Sequence, residues 1–222
     1  MMNSFLYLNI LIAVCGLSGF LYGSIKYFGK RQPPLFSVMI ILAVGCSTLG
    51  RIYQFLSILT GHTVTNMFHV GLLGVMGTFS FFFSANYGPI DTLVDDGSPM
   101  FRKNRLIGVL GPICVALLYL PIFSSEVGLA VKVSYGIVAI FIGLSLYYNV
   151  KHLFISDVEF GIVSCLRPYN ALAIFYGILC MLELLTFVYE TRVLSMVIEI
   201  AIAFILLFIV PIMDRGVKKW TA

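Results

Sequence analysis

The sequence predicts an all-α polytopic membrane protein, a single domain over residues 1–222 built from seven transmembrane helices. Three observations carry that class. Of the residues, 60% are hydrophobic and only 11% charged, with a mean hydropathy of +1.01, whereas a soluble domain is about half apolar and about a quarter charged. The apolar residues gather into seven runs of the length a bilayer requires, about 20 residues each. The connections between those runs alternate between basic and nearly uncharged, the asymmetry expected of a chain that crosses a membrane repeatedly.

The first span, 4–26, has no positive segment before it and no small-residue cleavage site after it, so it reads as a retained helix and not a signal peptide. It carries Gly16, Gly19 and Gly23. The second, 34–60, opens at Pro33–Pro34 and carries Arg51, Tyr53 and Gln54. The third, 65–87, carries Gly71, Gly74 and Gly77; small residues at such spacing let helices approach closely, which nominates this helix for the centre of the bundle. The fourth, 105–124, has Gly108, Gly111, Pro112 and Pro121, the composition of a bent helix with a hinge near Pro112. The fifth covers 127–150. The sixth and seventh, 168–189 and 193–213, form a hairpin between Pro168 and Pro211 with Glu190, Thr191 and Arg192 at its tip.

Orientation follows from the cations. Lys26, Lys30 and Arg31 follow the first span, Arg102, Lys103 and Arg105 the third, Lys151 and Arg167 the fifth, and Arg215, Lys218 and Lys219 the seventh. By the positive-inside rule that side is cytoplasmic, with the N-terminus outside and the C-terminus inside, in a plasma membrane or a bacterial inner membrane. The net charge of +4 thus belongs to the bilayer flanks and does not indicate a nucleic-acid partner. The outer connections, 61–64, 124–126 and 190–192, are too short for an ectodomain. A ligand from outside has to enter between the helices, and output, if there is any, passes through a separate partner.

The two halves echo each other. Each triplet has a basic loop reaching proline, a charged residue in the outer half of its second helix (Arg51; Glu183), and an ionisable group in the outer half of its third (His69; Glu199). Two parallel three-helix units joined by an inverting fourth helix are one transporter architecture. The 3+1+3 layout and the length resemble the SWEET and KDEL-receptor group. Neither expected loop has the Pro-Gln dipeptide of those families, so the resemblance is one of topology and carries no residue roles.

Arg51, His69, Lys132, Glu183 and Glu199 all fall roughly 7–14 Å below the outer surface at 1.5 Å rise per residue. Charges at that depth face the bundle interior and pair with one another. Two readings follow. In one, the charges only hold helices together. In the other, they line an outward-facing pocket for a polar, anionic or zwitterionic solute, with Arg51 and Lys132 as anchors, Glu183 and Glu199 closing the network, and Tyr53, Gln54, Tyr135 and His69 beside them. The leading expectation is a small transporter. Its alternatives are a heptahelical receptor or sensor with a separate cytoplasmic partner, and a non-catalytic subunit of a membrane complex.

The longest polar stretch, Asn86 to Arg105, supplies Asp91, Asp95, Asp96, Arg102, Lys103 and Arg105 as the coupling loop toward such a partner. Its carboxylates suit a hard cation, but Asp95-Asp96-Gly97-Ser98-Pro99 reads first as a turn that starts a helix. His152, Asp157 and Glu159 form no recognised motif. The five cysteines lack metal-site spacing. No catalytic residue, metal or cofactor is expected; the expected partners are membrane lipid, the polar ligand, and a membrane or cytoplasmic protein or a second copy.

Overall fold

The computed structural model describes residues 2–60, 69–91, 95, 97–155 and 161–221. His62, Asp96, Asp157 and Glu159 therefore lie outside the described residues. The chain is all-helical with seven helices long and apolar enough to span a membrane, and no strand occurs among the described residues. Its helices are α1 (Met2–Tyr27), α2 (Leu35–Leu59), α3 (Val70–Asn86), α4 (Arg102–Gly108), α5 (Leu110–Ser124), α6 (Leu129–Phe154), α7 (Ile162–Tyr189) and α8 (Arg192–Thr221). A 3-10 turn, Pro99–Phe101, followed by α4 and α5 makes the fourth span, Pro99–Ser124.

Six helices close a ring in the order α1, α2, α3, α6, α7, α8 and back to α1, while the fourth span packs outside it against α6 and α7. Its position is plain from burial: 22% of its apolar window is enclosed, against 61% for α2. The second span, rather than the third, is the most enclosed, since α2 touches α1, α3 and α8 while only 39% of the third span's window is buried. The glycines of α3 serve one close seam instead of a central position. A Cβ on Gly74 would lie 2.8 Å from the Cys46 carbonyl and from Gly50 Cα, so α2 and α3 meet backbone to backbone just below Arg51. The glycines of α1 serve a second seam, with Gly16 against Thr48 and Leu206, Gly19 against the Leu206 carbonyl, and Gly23 against Ile41 and Val210.

Prolines account for most departures from the expected boundaries. α7 starts at Ile162 and carries Pro168 inside it, and α8 continues through Pro211 to Thr221. A proline removes one hydrogen bond from a helix, but in an apolar setting leaving the helix exposes more backbone still, so the helix continues. In the fourth span the expected bend is a break between α4 and α5 at Val109, where the Pro112 ring opposes the carbonyl four residues back. α3 is prolonged by a π-helical turn, Tyr87–Asp91, containing Pro89.

Candidate functional site

Arg51 on α2 and Glu183 on α7 stand on helices opposite each other in the ring, and each is about 5% exposed. Arg51 Nη2 donates to Glu183 Oε2 at 2.5 Å. Nearer the basic end, one turn along α2 and two along α7, Ser47 and Tyr176 share a hydrogen bond of 2.8 Å from the same two helices. The helical period explains the alignment: Ser47 and Arg51 are four apart, Tyr176 and Glu183 seven apart, so each pair shares a face. Both faces turn inward, and Cys180 between Tyr176 and Glu183 is buried with them.

Glu199 on α8 is wholly buried. Its Oε1 accepts a hydrogen bond from Ser195 on the preceding turn at 3.1 Å, and it lies within electrostatic reach of both Arg51 and Glu183. Glu199 Oε2 and Glu183 Oε1 are buried without a hydrogen-bond partner among the described residues. Counting residues from the helix ends, Arg51, Glu183 and Glu199 lie roughly 9–12 Å inside the end away from the cations.

The other expected members divide. Arg51 Nη1 donates to Gln54 Oε1 at 3.2 Å, and Gln54 and His69 both close on Gly71 at the start of α3. The His69 ring stacks on Tyr53, centroids 6.5 Å apart, and its buried Nδ1 lacks a partner among the described residues. Tyr135 on α6 is buried within electrostatic reach of Glu183. Lys132 stands apart: its Nζ lies 5.7 Å over the Phe123 ring and its carbonyl accepts from Tyr119, both on α5 outside the ring. The group is thus one guanidinium facing two carboxylates.

A second network occupies the basic end. Asp91, on the π-turn, accepts from Lys151 Nζ at 2.6 Å and contacts His152 Nε2 at 2.9 Å. Asp95 binds Lys151 at 2.6 Å and Arg105 through Nε at 2.9 Å and Nη2 at 3.1 Å. The Gly97 N–H donates to Asp95 Oδ1 at 3.0 Å, so the turn expected from Asp-Asp-Gly is present at Asp95. Burial opposes ionisation of Asp95, but the hydrogen bonds from Lys151, Gly97 and Arg105 outweigh it and hold the carboxyl below its ordinary range. Arg102 and Lys103 are exposed beside this network. Behind it, Asn149 Nδ2 donates to the Ser145 carbonyl at 2.7 Å and its oxygen accepts from Asn86 Nδ2 at 3.0 Å. That fixes the Asn86 oxygen toward His152 Nδ1, at 3.1 Å.

A third cluster joins α1 to α8. Asp214 accepts from Tyr22 at 3.0 Å and Tyr27 at 2.9 Å and forms an ion pair with Lys26, with Lys218 Nζ at 3.5 Å. Sequence reasoning missed Asp214, Asn86, Asn149 and the burial of Lys151. Asp214 was marked by being the one acid among Arg215, Lys218 and Lys219, and Asn86 and Asn149 by being carboxamides inside apolar runs. Among the described residues, no three His, Cys, Asp or Glu side chains gather as a metal site.

No family model matches the chain, nor does any curated protein or solved structure.

Proposed function

We propose that this chain is a small solute transporter that binds a polar, zwitterionic molecule between α2, α7 and α8. One observation carries the reading: the buried Arg51–Glu183 pair bridges opposite helices while, among the described residues, Glu183 and Glu199 each keep an oxygen without a partner. A buried ionised oxygen without a donor is costly, and a solute ammonium supplies the donor. Two carboxylates against one guanidinium favour a ligand bearing positive charge over a plain anion. Arg51 then serves the ligand's own carboxylate.

We take the basic end as cytoplasmic by the positive-inside rule, in a plasma membrane or a bacterial inner membrane, so that the site opens outward. The order of helices round the ring is the one a twofold axis along the bundle produces, with α1–α3 exchanging with α6–α8 and the fourth span as linker. This supports the parallel 3+1+3 repeat, in which Arg51 and Glu183 are counterparts.

The test is uptake of labelled amino acids, as zwitterionic probes, into sealed vesicles containing the purified protein, with Arg51→Gln, Glu183→Gln and Glu199→Gln assayed beside folded yield. Uptake lost at preserved yield supports the reading. Losses that only follow the amount of folded protein, or wild-type vesicles that take up no more than empty ones, reject it.

A sensor is the second reading, favoured by α6. That helix carries Tyr135 near Glu183 and, at its other end, Lys151 bound to Asp91 and Asp95 and His152 bound to Asp91. A stoichiometric partner that co-purifies and is lost in Asp95→Asn would favour it over transport.

A further inference from the structure

Arg51 neutralises one carboxylate, and the geometry says which. Its Nη2 is hydrogen-bonded to Glu183 and its Nη1 to Gln54, while Glu199 is within electrostatic reach but shares no hydrogen bond with it among the described residues. Glu199, wholly buried, receives one hydrogen bond, from the Ser195 hydroxyl to Oε1, and none to Oε2 among the described residues. Among the described residues, the helices packed on α8 supply no second cation at this level. α7 contributes Glu183, with Cys180 and Tyr176 below it, and α2 contributes Arg51. α1 runs beside α8 in the same direction, with Gly16 and Gly19 against Leu206 and Lys26 against Asp214. That register brings the buried amide Asn9, which does not titrate, to within about a turn of Glu199. Tyr135 of α6 and His69 before α3 stand on the far side of the pair, next to Glu183 and Gln54 respectively.

An ionised Glu199 would give this enclosed group two negative charges and one positive. We propose that Glu199 is the proton-binding carboxyl of the site: Glu183 stays ionised against Arg51, and Glu199 holds an exchangeable proton on Oε2. Release breaks the O–H bond, leaves the electron pair on the carboxylate and passes the proton to water. On the transport reading, which this extends, the proton is the coupling ion and the solute's ammonium takes its place between the two carboxylates.

The experiment is infrared difference spectroscopy of the full chain in lipid nanodiscs as pH is stepped from acid to alkaline. The wild type is expected to show a carboxylic acid C=O band that bleaches as pH rises and is absent from Glu199→Gln at unchanged helix content. Should that variant fail to fold, Ser195→Ala decides: loss of its hydrogen bond to the carbonyl oxygen Oε1 shifts the same band to higher frequency. A wild type without the band, a band that persists in Glu199→Gln, or one unmoved in Ser195→Ala overturns the proposal. The vesicle assay reports separately. An intact Glu199 band with no amino-acid uptake removes the transport reading and leaves the proton site standing.

Discussion

Arg51 on α2 reaches Glu183 on α7 at 2.5 Å from the opposite side of the ring. Removing one partner leaves the other charge buried and unpaired, which costs roughly 3–5 kcal/mol. Arg51→Met and Glu183→Leu should each lower stability by about that much. The double variant should lose much less than their sum, because it leaves no buried charge from the pair. Reversible unfolding in mixed micelles measures all three, and additive losses would show that the two side chains do not act as a pair.

The α2–α3 seam should be intolerant of a single methyl. Gly74→Ala puts a Cβ 2.8 Å from the Cys46 carbonyl and Gly50 Cα, and backbone on both sides gives little, so a loss of about 1–3 kcal/mol is expected. Gly128→Ala, where nothing lies within 4 Å, is the control. Comparable melting temperatures for the two variants would contradict the close approach.

Asp214 should anchor α1 to α8. Asp214→Ala strands the buried Tyr27 hydroxyl and removes the partner of Lys26 and Tyr22, at about 1–3 kcal/mol for the unsatisfied hydroxyl alone. Asp214→Asn keeps an acceptor and should lose less. Thermal unfolding in detergent ranks the two, and equal effects would remove the hydrogen-bond explanation.

Acid should loosen the segment that carries Asp95. Its folded-state carboxyl titrates below the ordinary value of 3.8 because Lys151, Gly97 and Arg105 donate to the ionised form. The unfolded chain then binds the proton more readily. The stabilisation is complete above the ordinary value and disappears as pH falls from there through the lower folded one. Hydrogen exchange in α4 should rise over that acid range in wild type and be raised already near neutral pH in Asp95→Asn. A profile identical in both would exclude Asp95 as the cause.

The turn between α7 and α8 holds Glu190 at φ 53°, a left-handed conformation that costs a residue with a Cβ roughly 1 kcal/mol. Glu190→Gly should therefore raise the melting temperature, provided that the hairpin keeps its hydrogen bond from Thr191 N–H to the Thr186 carbonyl. A lowered melting temperature would mean that the Glu190 side chain contributes more than its backbone strain costs.

The helical membrane class was legible in the residues themselves. Length, hydropathy and the absence of charge need no knowledge of neighbours, because the bilayer obliges each apolar run to satisfy its own backbone as a helix. Arg51, Glu183 and Glu199 stood out for the same reason, as charges inside runs where charge is costly. Partner choice was not legible. Glu183 binds Arg51 because the ring sets α2 opposite α7, and Lys132 turns to Phe123 because the fourth span lies outside the ring against α6. Lys151 looked like a boundary cation and is instead buried between Asp91 and Asp95, since the π-turn that carries Asp91 packs against α6. Sequence alone determined which segments are long and apolar enough to cross a membrane and which groups cannot be left alone there; only the tertiary structure decided which of them meet, because a charge finds its partner through the order of helices and not through its distance along the chain.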